Sequence, residues 1–157
     1  MTGRPVGDDL QRAVDAEIRP LIEGLGFRVV ELVVGRSHRL VHLRLVIHRE
    51  PGITVQDCSL VSRTVRPRLE LMEGMADLEM EVSSPGIDRR LKAREEYDIF
   101  RNHGVRLLLQ GQSEWTRGVI RGIEGELLSI EQEEGLRVVN FADIRAARLD
   151  QGQEVRR

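Results

Sequence analysis

Six glycines, at positions 104, 111, 118, 122, 125 and 135, punctuate the last third of the chain. The apolar segments they leave are too short for packed helices of ordinary length. They match half-buried strands instead: residues 105–110, 115–122, 126–132, 136–141 and 146–150. Five short, glycine-bent strands in so little chain close most economically as a small, partly open barrel.

The part before this region has a different texture. Residues 8–25 place Leu10, Val14, Ile18, Leu21, Ile22 and Leu25 at helical steps of three and four. Pro20 is expected to kink or shorten that helix. Residues 27–34 and 40–48 read as two strands joined by a short loop at 35–38. A second helix fits residues 54 or 55 to about 72, with Thr54 and Asp57 spaced as a capping box. Cys58, Val61, Val65, Leu69 and Met72 share one sector of it, and Arg63 and Arg66 lie outside that sector. Leu78, Met80 and Val82 alternate with Glu79 and Glu81, a strand with an acidic outer face. The expected fold is therefore α+β: an αββαβ domain over residues 1–90, then a linker helix and a small SH3-like (Sm-like) barrel over 91–157. Phe141-Ala-Asp-Ile144 falls where such barrels place a short helical turn before the last strand.

Charge and composition narrow the function. The 24 Lys+Arg and 26 Asp+Glu of the 157 residues leave −2, and the two expected domains each sum to −1 (13 against 14, then 11 against 12). Blanket affinity for nucleic acid needs a strongly basic surface, so only local basic patches remain open. Five aromatics cannot furnish rows of base-stacking platforms. The single cysteine, Cys58, excludes an internal disulfide and a multi-cysteine metal site. It sits on the apolar helix face, as a small hydrophobe would. No apolar run exceeds three residues, so no membrane-spanning helix is expected.

Catalytic patterns do not emerge. The chain has no phosphate-binding Walker loop, nucleophile elbow, zinc-protease helix or dinucleotide fingerprint. His42 and His48 share a strand face, but about 20 Å of strand (6 × ~3.3 Å) separates them, too far for one ion. Gly122-Ile-Glu-Gly125 spells the KH-type loop, yet it lies between strands and carries a carboxylate that repels phosphate. No catalytic, metal or cofactor residue is therefore expected, and no small-molecule substrate.

The informative stretch is Glu81-Val-Ser-Ser-Pro-Gly-Ile-Asp-Arg-Arg-Leu91. Ser84 to Ile87 suits a type II turn with Gly86 at the positive-φ place. Asp88 is expected to cap a helix running toward Arg101. Arg89 and Arg90 then fall in its first turn, where the helix dipole disfavours cations, and Lys92 and Arg94 add charge. Either Asp88, Glu95 or the acidic strand face neutralises them, or an external acidic partner does. Ser83, Ser84, Pro85, Gly86, Asp88, Arg89 and Arg90, with Arg63 and Arg66 as a weaker case, are the candidate partner-binding or hinge residues. Glu124, Glu126, Glu131, Glu133 and Glu134 form a candidate acidic edge for a basic protein.

Glu81-Val-Ser-Ser-Pro-Gly-Ile-Asp-Arg89 closely resembles the signature of the RimP family, bacterial ribosome maturation factors. Pro20…Leu25-Gly-Phe-Arg-Val-Val-Glu-Leu32 and Gly52-Ile53…Asp57-Cys58…Val61-Ser62-Arg63 are similar to that family's first and second helix segments. Arg90 stands where the family commonly has proline. The resemblance implies a cytoplasmic, non-catalytic factor that binds the precursor of the small (30S) ribosomal subunit, rRNA and ribosomal proteins together. It also implies aid to late proteins near the decoding region, uS12 in particular. The alternatives are a stand-alone Sm-like or KH-like RNA-binding protein, whose grip on naked RNA would fall steeply with salt, and a small hydrolase.

Overall fold

The computed structural model describes residues 4–5, 8–75 and 77–151. It divides into two compact units, one up to Pro85 and one from Gly86 onward. The division falls before the Gly86–Arg90 stretch that the expected boundary after residue 90 assigns to the first domain.

In the first unit a two-residue strand β1 (Arg4–Pro5) precedes helix α1 (Asp8–Gly24). Strands β2 (Arg28–Ser37) and β3 (Leu40–His48), helix α2 (Val55–Glu70) and strand β4 (Leu78–Ser83) follow. The sheet order is β1-β2-β3-β4, with β3 and β4 parallel because α2 crosses between them. The αββαβ expectation thus holds, with β1 added at the β2 edge, too short to leave a sequence pattern.

Apolar stripes from both helices cover one face of this sheet. Val14, Ile18 and Ile22 of α1 and Val61, Val65 and Leu69 of α2 are fully buried against Phe27, Val34, Leu43 and Leu45. In β2 the pairing slips between Val29 and Glu31, one residue more than the partner strand. That bulge changes the parity of the alternation, so Phe27 and Val29 before it and Leu32 and Val34 after it all reach the core. Pro20 and Pro67 neither end nor shorten their helices. Both lie on exposed helix faces, where water can satisfy the carbonyl that each leaves without a donor. After α1, Gly26 (φ +94) turns the chain so that the Phe27 amide donates to the Ile22 carbonyl at 3.2 Å.

The capping box read from Thr54 and Asp57 forms. The Asp57 amide donates to Thr54 Oγ1 (3.1 Å), and the Thr54 amide donates to Asp57 Oδ2 (2.9 Å). Arg49 Nη2 donates to the other carboxylate oxygen at 3.0 Å. The Thr54 amide above all holds the Asp57 carboxyl below its ordinary value; burial opposes it, and the Thr54 side chain and Arg49 add to the lowering. Because the folded value is the depressed one, this support is present above the unfolded value and is lost as pH falls below about 4. Urea midpoints between pH 2 and 6 should therefore fall more steeply for the native chain than for Asp57→Asn. Parallel curves would mean that the box does not couple to folding.

The second unit begins with an extended segment and the short helix α3 (Arg94–Ile99). Strands β5 (Gly104–Leu109), β6 (Thr116–Glu124), β7 (Leu127–Gln132) and β8 (Gly135–Asn140) follow. A 3-10 turn (Phe141–Asp143) then leads into β9 (Ile144–Leu149). All pairings are antiparallel, in the order β8-β7-β6-β5-β9. The five strands and the turn therefore occupy the places expected of them, within a residue or two. Leu107, Ile120, Leu128 and Ile130 are fully buried, with Phe100 beside them at 1 % exposure. Gly118 permits the close approach of β6 to β7: a Cβ there would lie 2.9 Å from the Glu131 carbonyl oxygen. Among the described residues, no helix is long and apolar enough to cross a membrane.

Candidate functional site

Residues 83–91 do not take the conformation expected of them. Ser83 ends β4 opposite Val46, and Ser83 and Ser84 line a small cleft with Thr54, Val55 and Cys58. Burial, followed by the neighbouring Asp57 charge, pushes the Cys58 thiol up, so it stays protonated. The tight turn falls at Gly86, whose carbonyl accepts from the Arg89 amide (3.1 Å), rather than over Ser84 to Ile87. Gly86 is not among the described positive-φ glycines, so the type II turn is not formed.

No helix starts at Asp88. Residues 89–91 instead lie along β9 as an added piece of sheet. The Leu149 amide donates to the Arg89 carbonyl and the Leu91 amide to the Ala147 carbonyl, both at 2.9 Å, with Arg90 bridged to Arg148. Arg148 Nη1 also donates to the Asp88 carbonyl, at 3.2 Å. Extended backbone sends successive side chains to opposite faces. Leu91 is buried and Arg89 nearly so, whereas Arg90 between them is exposed.

Burial of Arg89 requires a counter-charge, and Glu96 supplies it. Arg89 Nε donates to Glu96 Oε1 at 2.7 Å, with side chains 9 % and 3 % exposed. Glu96 Oε2 accepts from the Lys92 and Ala93 amides, both at 3.1 Å. Ala93 is the N-cap of α3 and has no side-chain acceptor, so Glu96, at the third helical position, provides the cap from within the helix. The helix starts five residues later than a cap at Asp88 implies, so the counter-charge is Glu96 rather than Asp88, Glu95 or the acidic strand face.

The rest of the arginine cluster separates by partner. Arg94 grips Glu126 through both guanidinium nitrogens (3.2 and 2.8 Å) and lies 4.6 Å over the Phe141 ring. The hydrogen bond holds Glu126 below the ordinary carboxylate range and raises Arg94 further. Phe141 meets Tyr97 edge-on at 5.1 Å, and burial, with the Glu96 charge, pushes the Tyr97 hydroxyl up to about 12. Arg90 makes no ion pair among the described residues. It lines a groove of about 530 Å³ with Lys92, Arg94, Tyr97, Phe141 and Arg145, among others. Sequence reasoning missed Arg145, which only the pairing of β9 with residues 89–91 brings near Arg90.

Arg63 and Arg66 each have a backbone acceptor within the first unit. Arg63 is exposed and donates to the Ser59 carbonyl of its own helix (3.3 Å); Arg66 donates to the Leu78 carbonyl (3.3 Å) and ties α2 to β4. The candidate acidic edge is also partly neutralised. Glu126 is held by Arg94 and Glu131 by Arg121 (3.1 Å), and Glu133 is engaged too.

Residues 17–88 match the family model of the RimP N-terminal domain. The first unit thus carries a RimP N-terminal domain over most of its length. The match runs from inside α1 to Asp88, so it takes in the two helix segments and most of the signature stretch. Arg89, Arg90 and the antiparallel sheet lie beyond the matched residues.

Proposed function

We propose that this chain is a RimP-family, non-catalytic maturation factor of the small (30S) ribosomal subunit, working in the cytoplasm. It binds the precursor particle, rRNA and proteins together, and aids the incorporation of late small-subunit proteins near the decoding region, uS12 among them. The observation that carries this reading is the RimP N-terminal domain over residues 17–88. Two further features support it. The order β8-β7-β6-β5-β9, with a 3-10 turn before the last strand, agrees with an SH3-like (Sm-like) barrel as the second module. A net charge of −2 suits a factor that docks and then leaves, because many phosphate contacts would make release depend steeply on salt.

Depleting the chain in its native host should make free small subunits accumulate with unprocessed small-subunit rRNA, and re-expressing it should reverse both. An unaltered subunit profile with normally processed rRNA would overturn the proposal.

A further inference from the structure

The groove of the second unit has the chemistry of an anion site. Four of its eleven lining residues are cationic (Arg90, Lys92, Arg94 and Arg145) and none is acidic. The chain as a whole has more carboxylates than cations, so the groove departs from its average. Arg94 is already neutralised by Glu126. Arg90 and Arg145 are both exposed and make no ion pair among the described residues, so a ligand would find their charges uncompensated. The groove also contains a planar surface. The Glu126 fork fixes the Arg94 guanidinium over the ring of Phe141, which is itself only partly buried.

We infer that this groove binds a short segment of single-stranded RNA, with phosphates at Arg90 and Arg145 and a base against the Arg94–Phe141 stack. Guanidinium forks match phosphate oxygens, and unpaired bases stack on guanidinium planes and aromatic rings. An acidic peptide would satisfy the two arginines but would leave the stack unused. A duplex presents its bases already stacked and is the poorer ligand for the same reason. The inference extends the proposed function and depends on it only for where such RNA is met.

The test uses the full chain and a labelled mixed-sequence oligoribonucleotide of about ten nucleotides, followed by fluorescence anisotropy across a salt series. Two phosphate contacts give a log–log salt slope of about −1.4 (2 × ~0.7). The double substitution Arg90→Gln with Arg145→Gln should weaken binding at least tenfold and flatten that slope, whereas Arg39→Gln, exposed on the first unit, should leave both unchanged. Both altered residues are exposed, and an unchanged melting curve confirms that the fold is kept. An abasic version of the oligonucleotide should bind more weakly than the normal one. RNA binding that is equal in the double variant, or weaker than the binding of a polyglutamate peptide of the same length, would overturn the inference. Failure here leaves particle binding intact, whereas failure to bind particles with RNA binding intact rejects the proposed function instead.

Discussion

Glu96→Ala is expected to lower the stability of the second unit by about 3–5 kcal/mol, the usual loss when one member of a buried ion pair is removed. The substitution strands three donors at once. Arg89, 9 % exposed, loses its counter-charge, and the Lys92 and Ala93 amides lose their acceptor at the start of α3. For a domain of this size each kcal/mol moves the melting temperature by about 4–8 °C, so the drop should exceed about 12 °C. Glu96→Gln keeps an acceptor oxygen and should lose less than alanine. Glu126→Ala breaks an exposed pair with equally short contacts and should move the melting temperature little. Thermal denaturation of the three variants checks the order. Equal effects of the Glu96 and Glu126 alanine variants would mean that burial of the Arg89 pair does not anchor the linker segment.

In the first unit the largest expected loss follows Phe27→Ala, about 3–5 kcal/mol. Phe27 is 1 % exposed at the foot of the sheet, just after the Gly26 turn, and packs in the cluster formed by both helices. The Arg49 guanidinium lies 4.3 Å from the ring centroid and would lose that face as well. Arg49 also holds Asp57, so the cavity reaches the α2 cap through one side chain. Phe27→Leu retains most of the apolar volume and should recover much of the loss. Urea unfolding followed by circular dichroism measures both variants. A loss under about 1 kcal/mol for alanine would contradict the packing described.

Legibility followed the range over which each feature is encoded. The Thr54–Asp57 box and the α2 stripe of Val61, Val65 and Leu69 are written within a turn or two of helix, and both were readable. The strands β5 to β8 are readable because glycines begin, interrupt or separate them, and β9 because a short helical turn precedes it. The segment after Pro85 was misread for a physical reason. Pro-Gly-Ile-Asp carries the residue types of a turn followed by a cap, while the true N-cap, Ala93, carries no cap signal. What decides against a helix at Asp88 is the backbone pairing of Arg89 and Leu91 with β9, from the other end of the unit. The candidate site divides in the same way. Arg89 has an acidic partner, Glu96, internal and buried, but it is not in the first turn of a helix, the reason for which one was expected. Arg90 keeps its charge for a ligand, and Arg145 joins it only through the fold.

The most direct measurement of the central claim is gradient sedimentation of tagged chain with cell lysate and with purified particles. Co-migration with free, immature small subunits, and not with complete ribosomes, is the expected result. A chain that stays at the top of the gradient with every particle, or that binds complete ribosomes as well as it binds precursors, would contradict the claim.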